Sequence, residues 1–333
     1  MSLAGRLANR AKDLLFVAGT ERYWRRRLRG RTMALVYHRV ADPDENCSFL
    51  ARGGTPVINP SELAREIGFL KDMGARFLTF ADLRAGRYPS DSEFGIVLTF
   101  DDCFLDNYTT GLDVLDECGV KAVFFQSSGM VDADKLIPEH AFYLYADLPE
   151  TALRLLELAH ESGWPGTAEA DVLNLPPLAA RWILEVPVDS LKNVLAQLRE
   201  QFPGREEALA QALYPKKDHL LHAIETGHEI GSHGHDHLNR STLSADAFEQ
   251  ELIRSRERLA EITGHPPAAF SYPFNGHQAG DREICARHFH QAATVDQRPV
   301  ERSSDPLALG RYSWPGQLPN ELRMRRWLLT GRI

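Results

Sequence analysis

The chain has 333 residues, 43% of them hydrophobic and 25% charged. That length and balance exclude a small stapled scaffold and a disordered chain. The formal net charge of −8 excludes wholesale nucleic-acid binding of the kind that needs a basic domain, and no run of 18 apolar residues predicts a transmembrane helix.

Leu3, Leu7, Leu14 and Leu15 fall roughly on one face of a helix, with Arg6, Arg10 and Lys12 elsewhere, so residues 1–20 read as amphipathic. The same charges, with Asp13, interrupt any apolar signal core and argue against secretion. Arg22, Arg25, Arg26, Arg27, Arg29 and Arg31 follow, with Tyr23 and Trp24 among them. Residues 1–31 thus form a basic N-terminal segment with two readings. The simpler is a solvated leader packed against the main domain. The other is peripheral contact with an anionic membrane, at about 1 kcal/mol per basic residue. Arg323, Arg325, Arg326 and Trp327 repeat that chemistry near the other end. Cys47, Cys103, Cys118 and Cys285 form no CxxC pair and read as reduced thiols. The expected location is cytoplasmic, with any membrane contact at the inner face.

The core opens with the apolar run 33–37, a buried strand ending at His38. Ser61, Glu62 and the apolar positions Leu63, Ile67 and Leu70 predict a helix that stops near Gly74. A short strand is expected at 77–80. A stronger one at 96–100 runs straight into Asp101 and Asp102. A helix over 106–118 ends at Gly119, and 120–126 is another buried strand. From 130 to 218 the rhythm changes, with helical patterns near 150–162, 177–184, 189–201 and 204–213. Alternation resumes with a helix at 219–226, a strand at 228–232, a helix at 244–263 capped by Ser244, and a strand at 268–272. A turn at 273–276, a helix at 281–288, strands at 291–295 and 307–312, and a helix at 320–329 complete the chain. This alternation predicts parallel strands joined by crossover helices, in an open doubly wound sheet or a barrel. A helical insertion or lid, 130–218, divides the α/β core into 32–129 and 219–333. No GxGxxG or Walker sequence follows any strand.

The residues suited to chemistry stand just after predicted strands, where α/β barrels place their sites. His233-Gly-His-Asp-His237 can bring two imidazoles onto one metal, and imidazole suits zinc, cobalt, nickel and iron. Satisfied structural histidines are the plainer role. A carboxylate pair at 101–102 is costly unless a metal or hydrogen bonds offset the repulsion. Adjacent residues leave a strand on opposite sides, so one can bind metal while the other takes a proton. The plainer role for the pair is a helix N-cap.

Together these sequences resemble the polysaccharide deacetylase family, carbohydrate esterase family 4, with its NodB-type homology domain. Thr99-Phe-Asp-Asp-Cys103 is similar to its TFDDG motif, and His233-Gly-His-Asp-His237 to its H-[ST]-x-x-H motif. Phe270-Ser-Tyr-Pro-Phe-Asn-Gly276 and Leu35-Val-Tyr-His-Arg-Val40 are similar to one branch of the family. The resemblance covers 33–126 and 219–312. It implies a distorted (β/α) barrel, often seven-stranded, and metal-dependent removal of acyl groups from sugars. It implies Asp101 as general base and Asp102, His233 and His237 as metal ligands. The Phe274 N–H, after Pro273, would stabilise the oxyanion. Cys103 stands where the motif has glycine, and Gly234 where it has Ser or Thr. The family's late L-x-H motif, source of the general acid, is not found. His277 is the nearest candidate for that acid, with His235 and His38 behind it. His38, Tyr272, Pro273 and Trp314 are read as substrate-facing, Trp314 either as a wall for the acetyl methyl or as a core residue.

The expected cofactor is one divalent metal ion, zinc first, with cobalt, nickel or manganese as alternatives. The expected function is removal of an acetyl group from an N-acetylated sugar, as a cytoplasmic or lipid-linked glycan biosynthetic intermediate. Two alternatives are a deformylase or other hydrolase of non-peptide C–N bonds on the same fold, and a non-catalytic glycan-binding protein.

Overall fold

The structure, a computed structural model, describes residues 26, 28–42, 48–170, 172 and 175–313. The expectations for 1–25, Cys47, Trp314 and the helix at 320–329 lie outside those residues.

The strands are β1 (Thr32–Tyr37), β2 (Arg39–Val40), β3 (Val57–Ile58), β4 (Ala75–Leu78), β5 (Phe94–Phe100), β6 (Ala122–Gln126), β7 (Glu229–Ser232), β8 (Ala269–Ser271), β9 (Gln291–Ala293) and β10 (Tyr312–Ser313). Seven of them lie in the order β10-β1-β5-β6-β7-β8-β9, and every pairing is parallel. β4 takes the first half of one edge of β5, with Leu78 opposite Val97, and β6 takes the second half, with Ala122 opposite Leu98. β2 and β3 form a separate small ribbon.

The sheet curls back on itself. Leu309 bridges Ala293 of β9, and Tyr312 pairs with Leu35 of β1, so the stretch 309–313 joins the last strand to the first. The result is the distorted seven-stranded (β/α) barrel that the sequence leads one to expect.

Every residue of β5 is buried because its two faces meet different cores. Ile96, Leu98 and Phe100 face the helical layer with Ile67, Leu70 and Leu115. Val97 faces the barrel interior with Ala34, Val123, Phe125 and Ala293. Each large apolar side chain so buried stabilises the fold by roughly 1.5–3 kcal/mol. Two-sided packing therefore fixes the strand ends from which the site residues emerge.

Local differences from the sequence reading have physical reasons. Phe80 begins the helix Phe80–Arg84 rather than ending a strand, because Thr79 and Asp82 form a capping box. The helix expected at 106–118 starts as a π-helical turn, Asn107–Gly111, before Leu112–Glu117. Between β6 and β7 lie the helices Pro138–Asp147, Pro149–Glu161, Leu175–Glu185, Val188–Gln201 and Glu207–Leu213. The first of these has no counterpart in the sequence reading. Its residues 138–146 are all buried, so no polar face marks the helical period. The helices share a core around Trp164 and Trp182, whose ring centroids lie 5.1 Å apart. The short helix Ser48–Gly53 joins that core through Phe49 and Leu50.

Candidate active site

β5 hands Asp101 and Asp102 to a tight turn. Asp102 and Cys103 take left-handed φ values of 62° and 63°. Such a conformation costs on the order of 1 kcal/mol per residue with a Cβ, and the glycine of the family motif would adopt it freely. The Cys103 thiol is buried and donates to Phe100 O at 3.2 Å, so it is engaged away from the cavity.

The two carboxylates face different partners. Asp101 is gripped by Arg311, with Nη1 at 2.6 Å from Oδ1 and Nη2 at 2.7 Å from Oδ2. Arg311 is wholly buried and also donates to Thr99 Oγ1, Ser271 Oγ and Thr294 O. Burial alone would raise the Asp101 carboxyl. The Arg311 charge, then His233 and the Arg311 hydrogen bonds, outweigh burial and hold it below the ordinary carboxylate range.

Asp102 faces the histidines. Its Oδ1 lies 3.0 Å from His237 Nε2 and 3.5 Å from His233 Nε2. Ligand atoms of the three buried residues lie within 4.8 Å of one another. Asp102 Oδ1 is nonetheless left without a hydrogen-bond partner. A buried, orphaned carboxylate oxygen facing two imidazole nitrogens fits a divalent cation. Burial would raise this carboxyl too, but His237, His38 and His233 hold it far below its usual range.

Each imidazole is aimed through its Nδ1. His233 Nδ1 donates to Ser271 O at 2.8 Å, which leaves its Nε2 a lone pair. Burial pushes His233 down to about 4, so it is neutral at pH 7. His237 Nδ1 lies 2.5 Å from Glu139 Oε2. Burial opposes protonation of His237, but Asp102 and Glu139 outweigh it and raise the group well above its usual value. The loop between the two histidines turns at Gly234, φ 79°, which glycine adopts without strain. Its hydrogen bonding comes from Glu251, whose Oε2 accepts from the N–H groups of His235 and Asp236 at 2.9 and 3.0 Å.

Asp101, Asp102, His233 and His237 line one cavity of about 480 Å³, together with His38, Tyr272 and Phe274. Tyr143, Ala180 and Leu184, from helices between β6 and β7, also line it. His38 is held in place by Asn107 Nδ2, which donates to its carbonyl at 2.5 Å, and by the buried Arg39–Asp106 pair at 2.8 Å. The Tyr272 hydroxyl is engaged with Cys285 Sγ at 3.1 Å. The Phe274 ring lies 4.6 Å from that of His237.

Other expected residues are not brought to the cavity. His277 is exposed and lies outside it, beside Tyr272 at 5.7 Å between ring centroids. Phe274 and Asn275 take left-handed φ values of 56° and 55°, and the tight turn they form carries the chain away from the site. The structure thus leaves His277, the first candidate for the general acid, outside the cavity and brings His38, a later candidate, into it. His235 is engaged with Ser128 Oγ at 2.8 Å and also lies outside the cavity. Pro273 is buried without lining the cavity. Trp314 lies beyond the described residues. Sequence reasoning missed Glu139 and Arg311. The signal for Arg311 was present, since Leu309-Gly-Arg311 places arginine third in an L-x-H-like sequence.

A buried His₂Asp cluster that could hold a metal ion stands beside an arginine-clamped carboxylate, at the C-terminal ends of parallel barrel strands. The sequence pattern of the polysaccharide deacetylase family matches residues 89–291, more than half of the chain, and the chain belongs to that family. The fold is similar to IcaB of Ammonifex degensii, with a TM-score of 0.56 and 18% identity over 89% of this chain and 97% of that one. It is also similar to the deacetylase PplD of Streptococcus pyogenes in complex with acetate, with a TM-score of 0.54 and 14% identity over 86% of this chain and 93% of that one. A 65-residue stretch, 20% of this chain, is 29% identical to the peptidoglycan deacetylase of Helicobacter pylori and spans 22% of that protein.

Proposed function

We propose that the chain is a metal-dependent hydrolase that removes the acetyl group from an N-acetylated sugar. The observation that carries this reading is the division of labour between adjacent carboxylates. Asp101 is kept ionised by Arg311, while Asp102 lies orphaned among two imidazoles. Asp102, His233 and His237 would hold one divalent ion, and two nitrogens with one oxygen suit zinc. Bound there, the ion lowers the pKa of water and polarises the acyl carbonyl. Asp101 accepts the proton of the attacking water. The Phe274 N–H supports the developing oxyanion. His38 delivers a proton to the departing nitrogen, so that acetate and a free amine leave. His38 suits this role because it shares the cavity with Asp101, whereas His277 does not.

Family membership and the deacetylases of the same fold support the acyl class. A cavity of about 480 Å³ supports a sugar-sized substrate over a small formamide. The choice of a cytoplasmic or lipid-linked glycan intermediate draws on the basic stretch 22–31, which suits an anionic lipid surface. The test pairs metal analysis with acetate release from N-acetylated oligosaccharides. Asp101→Asn should keep its metal and lose turnover, and the His233→Ala/His237→Ala double variant should lose both. Acetate release by Asp101→Asn at the wild-type rate, or a wild-type protein that takes up no divalent metal, would overturn the reading.

A further inference from the structure

We infer that Glu139 is a positioning residue for His237, so that the inserted helices complete the metal centre as well as walling the cavity. The inference rests on the metal-site reading above.

Glu139 stands in the first turn of the helix Pro138–Asp147, and its side chain is only 8% exposed. Both of its oxygens are engaged. Oε2 accepts from His237 Nδ1 at 2.5 Å, and Oε1 accepts from the Tyr143 hydroxyl at 2.8 Å. The other nitrogen of the same ring, Nε2, faces Asp102 at 3.0 Å. One imidazole therefore lies between two carboxylates with different tasks. Asp102 belongs to the cluster of ligand atoms, and Glu139 does not. Glu139 takes the Nδ1 hydrogen, which fixes the ring angle and leaves the Nε2 lone pair aimed at the ion.

The two ligand histidines are aimed by different parts of the chain. His233 is oriented by a backbone carbonyl of β8, part of the barrel itself. His237 is oriented by a side chain 98 residues upstream, on an inserted helix. That helix is in turn seated against the helix Ser48–Gly53. A Cβ on Gly53 would lie 2.3 Å from the Tyr143 ring, so the close approach needs glycine. Arg52 and Asp147 pair at 2.5 Å between the same two helices. The string Gly53, Tyr143, Glu139, His237 thus runs from the cavity rim to the metal ligands. An insertion that only walled the cavity would not need to bury a carboxylate against a ligand, because a buried charge is costly unless firmly paired.

The test measures zinc and cobalt dissociation constants of the full chain by chelator competition, together with the apo-protein ¹⁵N–¹H resonance of His237 Nδ1. Glu139→Ala should weaken metal binding by about 10–100-fold and abolish the hydrogen-bonded Nδ1 resonance. Glu139→Gln keeps an acceptor without the charge, so its affinity should fall between the two and its Nδ1 resonance should move upfield. Arg181→Ala, at an exposed pair within another helix of the same group, leaves Glu139 untouched and should bind metal like wild type. If Glu139→Ala does not fold, Glu139→Gln carries the test through the resonance, and an unmoved resonance overturns the inference. Wild-type affinity and an unchanged resonance in Glu139→Ala would also overturn it while leaving the metal site standing. A wild-type protein that binds neither ion would instead remove the metal-site reading, and this inference with it.

Discussion

Replacing Arg311 with methionine removes the only cation clamped onto Asp101 among the described residues while keeping most of the side-chain volume. Asp101 is 4% exposed and Arg311 0%, so the carboxylate left behind cannot turn to water. Ser271 Oγ at 3.5 Å is its remaining donor, and a weak one. Removing one member of a buried ion pair costs about 3–5 kcal/mol, and that is the loss expected in urea unfolding at pH 7. The pH dependence should also change sign. In the wild type the Asp101 carboxyl is depressed, so its contribution is present above the unfolded value of 3.8 and is lost as pH falls through the folded value. In the variant the largest charge opposing burial is gone, so burial raises the carboxyl and the penalty shrinks as pH falls. The stability gap between the two proteins should therefore narrow from pH 7 toward pH 4, and the acid limb of the kcat/KM profile should move to higher pH. A double-mutant cycle with Asp101→Asn isolates the pair, since the double variant holds neither charge. A loss of less than about 1 kcal/mol for Arg311→Met, or strict additivity in the cycle, would refute the reasoning.

Other outcomes follow from the same geometry. His38→Ala should lower kcat/KM by about 10²–10⁴-fold, while His277→Ala stays near wild type; equal losses would return His277 to the site. Glu251→Ala removes the acceptor of two loop N–H groups and should destabilise the fold by about 1–3 kcal/mol in urea unfolding, whereas a neutral result would show the loop is held otherwise. His140 is pushed down to about 4 by burial. Its unfolded form binds a proton near pH 6.5 that the fold refuses, so stability falls as pH drops from 6.5 to 4. His140→Gln should remove about 3 kcal/mol of that pH dependence, and an unaltered stability profile would exclude His140 as its source.

Asp101 and Asp102 were legible because they follow a strand whose two buried faces write a nearly unbroken apolar run, and His233 and His237 because of their spacing just after β7. His38 was legible as a strand-end residue but not as the neighbour of Asp101. That follows from the parallel register that sets Tyr37 opposite Phe100, with the Asp101 N–H donating to Tyr37 O. Proximity along the chain to the third motif favoured His277, which lies past a left-handed turn and outside the cavity. Glu139 left no trace because its helix is apolar nearly all round, so the helical period that would have exposed it is absent. Arg311 needed the barrel to be closed in space before its partner could be known.

That closure bears on how the protein is made. Asp101 and Arg311 are 210 residues apart. At ordinary elongation rates of about 5–20 residues per second, roughly 10–40 s separate their appearance on the ribosome. Throughout that interval the nascent chain carries Asp101 without its countercharge and the barrel without its closing strand. The short stretch 309–313 supplies both, so a product truncated before it has neither a closed barrel nor a paired Asp101. Closure of the barrel and pairing of Asp101 are thereby tied to one short stretch of chain.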